Sequence, residues 1–119
     1  MKKIIFTHWD IDNLPKDKKY VVYGAGEIGE FVLLELLKRK LNIIAIVDKK
    51  VEKLLNFDVI KPELVFNLSF DKIIVCSNIW QKEIVDFLIA NFVKKGKIVV
   101  PMGNTISTYK EIVEILKND

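Results

Sequence analysis

The chain has 119 residues, half of them hydrophobic and 29% charged, with a formal net charge of +3. That balance excludes a disordered chain and suits one domain around a single core. The positive charge is scattered over lysine pairs (Lys2-Lys3, Lys18-Lys19, Lys49-Lys50, Lys94-Lys95) with no aromatic interleaving, so no nucleic-acid surface is expected.

A single cysteine, Cys76, excludes a disulfide framework and fits a reducing compartment. The longest apolar stretch is too short to span a bilayer, and no leader pattern opens the chain. The expectation is a cytoplasmic protein without direct membrane insertion. The hydrophobic share is at the high end for a small domain, which points to a face buried on another domain or subunit.

Taken in order, residues 1–17 form a lead-in. Within it K-I-I-F at 3–6 reads as a short edge strand or part of that lead-in, and 7–19 is polar and turn-rich. His8, the sole histidine, has no Cys/His cluster around it and reads as solvated or packed rather than catalytic or metal-binding. A β-branched and aromatic run follows at 20–23 (Y-V-V-Y). It enters Gly24, Ala25, Gly26, Glu27, Ile28 and Gly29, the G-x-G-x-x-G arrangement. Gly24 permits the tight strand-to-helix turn, Gly26 allows a pyrophosphate to approach the backbone, and Gly29 lets the helix pack on its strand. The helix N-terminus presents unpaired N–H groups and a positive dipole end to an anion.

Helical spacing of Ile28, Phe31, Val32 and Leu36 predicts a helix over 27–40. Leu33, Leu34 and Leu37 widen its apolar arc, as suits a helix between a sheet and a second surface. A second strand at 42–47 ends in Asp48, about 20 residues past the glycines, where an acid would take ribose hydroxyls. A carboxylate there favours NAD over NADP, although Lys49 and Lys50 oppose that preference. Residues 51–55 read as one helical turn and 57–60 as a short strand. Pro62-Glu63 suits the first turn of a short helix.

D-K-I-I-V-C-S at 71–77 is nearly continuous in apolar residues, as a parallel strand covered on both faces should be. Cys76 inside it reads as a core residue rather than a nucleophile. Asn78 with Gln81 resembles a capping box for a helix over 81–92. K-I-V-V at 97–100 is a further strand stopped by Pro101, followed by a 102–104 loop. Thr108 and Glu111 cap a final helix over 108–117. The alternation predicts an α/β, Rossmann-like doubly wound sheet of about five mostly parallel strands with helices on both faces.

Ligands of such sheets lie at the carboxyl ends of the strands. Gly24 to Ile28, Asp48 with Lys49, and Ser77 with Asn78 would surround one crevice, with 102–104 closing its rim. Ser77 and Asn78 could hydrogen-bond a ribose or ring edge, though helix capping explains Asn78 equally well. No tyrosine precedes a lysine by four positions as a short-chain dehydrogenase requires. No P-loop lysine follows the glycines, and no metal cluster or Ser/His/Asp set can be assembled. The residues argue for binding and assign no catalytic group.

The blocks Y-V-V-Y-G-A-G-E-I-G-E, I-I-A-I-V-D, V-I-K-P-E-L, D-K-I-I-V-C-S-N and E-I-V-D-F-L, in that order, resemble a small Rossmann-like domain. It is similar to the N-terminal domain of bacterial polysaccharide-biosynthesis nucleotide-sugar dehydratases and epimerases. Related versions accompany sugar acetyltransferases, glycosyltransferases and methyltransferases of surface-glycan pathways. The resemblance covers residues 18–101. It implies an NAD, NADP or nucleotide-sugar ligand, with Gly24, Ala25, Gly26, Glu27 and Ile28 facing its phosphates. Asp48 would face the ribose, and Ser77 and Asn78 the base or sugar. The chain departs from these relatives at 49–57, where K-K-V-E-K-L-L-N-F replaces a glycine-containing loop. The catalytic domain such proteins carry is not among these residues, so the expectation is a stand-alone module or an excised fragment.

The leading expectation is therefore a nucleotide-binding module that works with a partner catalytic domain or as a homodimer. The alternatives are a minimal NAD-dependent nucleotide-sugar oxidoreductase or epimerase active as an oligomer, an S-adenosylmethionine-binding fold, and an interaction domain that has lost its ligand.

Overall fold

A computed structural model describes residues 14–77 and 79–100. The expected strand at 3–6, His8, Asn78, the 102–104 loop and the 108–117 helix lie outside the described residues. The described elements are β1 (Lys19–Tyr23), α1 (Glu27–Lys38), β2 (Asn42–Val47), β3 (Lys53–Leu54) and β4 (Phe57–Ile60). A 3-10 helix (Pro62–Asn67), β5 (Lys72–Val75), α2 (Gln81–Ala90), a second 3-10 turn (Lys95–Lys97) and β6 (Ile98–Val99) follow. They build a six-stranded sheet in the order β3-β4-β2-β1-β5-β6, parallel except for β3.

The sheet is doubly wound, with one cluster of buried side chains on each face. Tyr20 and Val22 of β1 join Ile46, Ile74 and Cys76 beneath Val32, Leu33 and Leu36 of α1. Val21 and Tyr23, alternating to the other face, join Val47, Ile73 and Val75 beneath Leu88 of α2 and Val65 of the 3-10 helix. Each fully buried aliphatic side chain contributes about 1.5–3 kcal/mol, so the central strands carry most of the hydrophobic stabilisation. A bulge adjusts β2 to this scheme. Tyr20 pairs with Ile43 but Val21 with Ala45, so Ile44 is an extra residue. Ile43 consequently packs with the α1 cluster and Ala45 with the opposite one.

Both α-helices are shorter than their apolar periodicity suggests, and for the same reason. Lys40 (φ 61) and Phe92 (φ 71) adopt the left-handed conformation two residues past the last helical residue. Lys40 N–H then donates to Leu37 O and Leu41 N–H to Leu36 O. Phe92 N–H donates to Ile89 O and Val93 N–H to Leu88 O in the same pattern. These are Schellman closures without the usual glycine.

Residues 51–55 are not a helical turn. Lys53 and Leu54 pair antiparallel with Asp58 and Phe57 around Leu55 (φ 54) and Asn56. That hairpin raises the strand count from about five to six. A turn carried by leucine and asparagine lacks the glycine signal that marks most two-residue hairpins. The short helix expected at Pro62-Glu63 is present as a 3-10 helix, with Pro62 and Val65 buried.

The lead-in is tied to the body at its described end. Leu14 packs against the α1 cluster, and the Tyr20 hydroxyl donates to the Pro15 carbonyl. No described helix is long and apolar enough to cross a membrane.

Candidate functional site

Because β1, β2, β4 and β5 are parallel, their carboxyl ends share one edge of the sheet. Val47 pairs with both Tyr23 and Ile60, and Tyr23 also pairs with Val75. The residues just beyond therefore stand in the order Lys61, Asp48, Gly24, Cys76. Backbone bonds carry the ladder one step past the strands. Gly24 N–H donates to Val47 O (2.7 Å), Cys76 N–H to Tyr23 O (2.8 Å) and Asp48 N–H to Ile60 O (3.1 Å). The chain order switches sides at β1, since β2 and β4 lie on one flank and β5 and β6 on the other. A crevice at such a switch point is where open parallel sheets bind ligands. Here the switch point falls between Gly24 and Cys76.

The three glycines have different reasons for being glycine. Gly24 has φ +119, and a Cβ there would lie 2.7 Å from the Cys76 carbonyl oxygen. A Cβ on Gly29 would come within 1.9 Å of the Gly24 carbonyl oxygen, so the turn and the first turn of α1 touch backbone to backbone. Gly26 is exposed, has φ −85, and its Cβ would meet nothing within 4 Å. No contact within the fold requires glycine at this position. Gly26 is also the N-cap of α1, and no side chain caps the helix there.

Asp48 is engaged inside the fold. Its Oδ2 accepts from Ala25 N–H at 2.8 Å, and its Oδ1 accepts from Lys50 N–H at 2.8 Å and Val51 N–H at 3.1 Å. Burial alone would raise its pKa. The three backbone donors, with the nearby Lys61 charge, outweigh burial and hold the carboxyl below its usual value. Lys61 arrives from the end of β4 and donates from Nζ to the Lys49 carbonyl at 3.0 Å. The Tyr23 hydroxyl is pushed up to about 12 by burial and by the Asp48 and Glu63 charges, so it stays protonated.

The remaining sequence candidates divide by exposure. Ala25 and Gly29 are buried, Ile28 is half-buried against the α1 cluster, and Glu27 and Lys49 are exposed. Glu27 and Glu30 place two carboxylates on the first turn of α1, where they complement the helix dipole and oppose a bound anion. Ser77 is half-buried, and its Oγ accepts from Trp80 N–H at 3.0 Å, so it closes the loop into α2. Trp80 and Ile79 are exposed on that loop.

Sequence reasoning passed over Lys61, Tyr23 and Trp80. Lys61 carried a legible signal, since it sits between the end of a strand and a helix-starting proline. Cys76 is buried, as its place in an apolar run implied. Among the described residues no group of three His, Cys, Asp or Glu side chains could hold a metal ion. A groove of about 580 Å³ lies elsewhere, between α2 and β6, and is lined by Lys72, Gln81, Val85, Lys95 and Ile98. It shares no residue with the glycine turn.

The model of the C2185-like, N-terminal family matches residues 16–99, which includes every element from β1 to β6. The chain belongs to that family. No curated protein matches the sequence of this C2185-like domain. Among solved structures it is similar to RSP, a Rex-family repressor, at 17% identity and a TM-score of 0.59. That likeness covers 91% of this chain and 61% of the repressor. It is also similar to a chorismate mutase/shikimate 5-dehydrogenase fusion protein from Clostridium acetobutylicum, at 22% identity and a TM-score of 0.55. There it covers 98% of this chain and 54% of the fusion protein. The chain thus spans less than two thirds of either protein, and the shared property is the Rossmann-like fold. Neither relative is a nucleotide-sugar dehydratase or epimerase.

Proposed function

We propose that this C2185-like domain is a nucleotide-binding module. It holds the diphosphate of NAD(P) or of a nucleotide sugar over the Gly24–Gly26 turn and the first turn of α1. The observation that carries the reading is Gly26. Gly24 and Gly29 are required by backbone contacts, whereas Gly26 faces open space at an uncapped helix N-terminus. A residue without Cβ at that point lets an anion reach the backbone amides. The dehydrogenase part of one fold relative is in keeping with a nucleotide ligand.

In this reading Asp48 shapes the turn by holding the Ala25 amide. Ser77 borders the far side of the crevice. The module serves cytoplasmic nucleotide-sugar and surface-glycan metabolism, a setting supported by the block-by-block resemblance of residues 18–101. The chemistry belongs to a partner catalytic domain or a second subunit.

Calorimetric titration with NAD, NADP, ADP, UDP and a UDP-sugar tests the proposal, with Gly26→Val run beside the parent chain. Binding of at least one compound by the parent and its loss in Gly26→Val, with the variant still folded and within about 1–2 kcal/mol of the parent's stability, is the expected result. Equal binding by both chains, or none by the parent, overturns it.

A second reading, a ligand-free interaction domain, draws on the outer side of α1, where Leu34 (47%) and Leu37 (36%) are exposed to solvent. The same titration separates the two, because an interaction domain gives no nucleotide heat while its self-association persists in Gly26→Val.

A further inference from the structure

We infer that the nucleotide carries a phosphomonoester on its ribose, as a 2′-phosphorylated dinucleotide such as NADP does, rather than a free ribose diol. This rests on the nucleotide-binding reading above and selects among the ligands that reading admits.

A carboxylate that grips a vicinal diol needs an open lone pair on each oxygen, so that each hydroxyl has its own acceptor. Oδ1 of Asp48 already accepts from Lys50 and Val51. Oδ2 accepts from Ala25 and keeps one open position. Asp48 can therefore take at most one further hydroxyl and cannot chelate the pair. Freeing it would strand the Ala25 amide in a part-buried turn, a cost of the same order as the bonds a diol would return. The acid at the end of β2 is spent on the fold.

The same corner is rich in cations. Lys49 and Lys50 follow Asp48 directly and are exposed. Lys61 is brought beside them across the β2–β4 pairing, and its contact with the Lys49 carbonyl leaves two of its three ammonium protons free. Among the described residues none of these three lysines makes an ion pair, whereas the neighbouring Lys53 does, with Asp58 at 3.0 Å. Two carboxylates oppose them, Asp48 itself, which stays ionised, and Glu63 near Tyr23, against three ammonium groups. A doubly charged phosphate on the ribose would meet the ammonium groups directly, while an uncharged diol would leave them in water.

The test compares AMP with adenosine 2′,5′-bisphosphate, which differ only in the 2′-phosphate, by calorimetry on the full chain, in the parent and in Lys61→Gln and Lys50→Gln. Glutamine at these exposed positions leaves the core untouched. The bisphosphate should bind roughly tenfold tighter than AMP, a margin within reach of charge-assisted phosphate contacts. That ratio should fall by about threefold in at least one variant and shrink as salt rises, because exposed charges are screened. Equal affinity for the two compounds overturns the inference and leaves the nucleotide site standing. A ratio unmoved in both variants overturns it too. Failure of both compounds to bind overturns this inference, and only the further failure of UDP and a UDP-sugar overturns the nucleotide reading with it.

Discussion

The Ala25 N–H donates to the Asp48 carboxylate across 2.8 Å, joining residues 23 positions apart in the chain. This contact locks the glycine turn to the end of β2. Asp48→Ala removes three acceptor contacts at once. It should lower the unfolding free energy by about 2 kcal/mol, in line with the cost of unpaired, partly buried donors. Asp48→Asn, which keeps one carbonyl acceptor, should lose less. Urea unfolding of the two variants measures both, and an Ala variant as stable as the parent would show that water replaces the carboxylate.

The same group sets an acid limb. The folded pKa of Asp48 lies below the usual 3.8 because the backbone donors and Lys61 overcome the opposing effect of burial. Glu35 lies below 4.5, chiefly through the Arg39 guanidinium, which donates to its Oε1 at 2.7 Å. For carboxylates depressed in this way, the stability they contribute is complete above the unfolded values. It is lost as pH falls through them toward the folded ones. Midpoints recorded from pH 6 down to pH 2 should fall more steeply for the parent than for a Glu35→Gln, Asp48→Asn double variant. Parallel curves would remove these two groups as the cause.

The glycine turn can be dissected by adding one methyl at a time. Gly24→Ala and Gly29→Ala each force a Cβ into a backbone carbonyl oxygen, at 2.7 and 1.9 Å respectively. Each should cost at least about 2 kcal/mol. Gly26→Ala has open space around it and should stay within about 1 kcal/mol of the parent, the range of N-cap exchanges. Thermal melts suffice, and equal losses at all three positions would contradict the geometry.

Both helix ends should be improvable. Lys40→Gly and Phe92→Gly place glycine where φ is 61 and 71. Each should gain roughly 0.5–1 kcal/mol by relieving left-handed strain. Phe92 is 94% exposed, so its ring has no core contact to lose. A drop in the denaturation midpoint of either variant would mean that the closure depends on the native side chain.

If an anion sits at the start of α1, Glu27→Gln should help it. Removing one of the two first-turn carboxylates ought to tighten nucleotide binding about threefold, the size of a single charge acting at a helix end. Weaker binding in this variant would make Glu27 a contact to the ligand rather than a competitor of its phosphates.

Much of this was legible in local patterns. The strand runs around Val21 and Ile74 are nearly all apolar, because a strand covered on both faces buries every side chain, and both lie at the sheet centre. The spacing of Val32, Leu33 and Leu36 marked the buried side of α1. The β3–β4 hairpin leaves no local signature, since Leu55 and Asn56 turn without a glycine and Lys53-Leu54 is too short to show alternation. The helices end before their apolar periodicity does because Lys40 and Phe92, residues without the glycine signal, adopt the left-handed position.

The sequence by itself determined the order of the longer strands and both α-helices among the described residues, the strand-to-helix glycine turn and the acid at the end of β2, because hydrophobic period and glycine spacing are properties of neighbouring residues. Only the tertiary structure decided what those groups touch. It showed that Gly29 is demanded by the Gly24 carbonyl while Gly26 is not, that Asp48 is occupied by the Ala25, Lys50 and Val51 amides, and that Lys61 stands beside Lys49. Those relations depend on parallel crossovers that bring distant strand ends to one edge of the sheet. A hydrogen bond formed there is set by position in space, which no periodicity along the chain encodes.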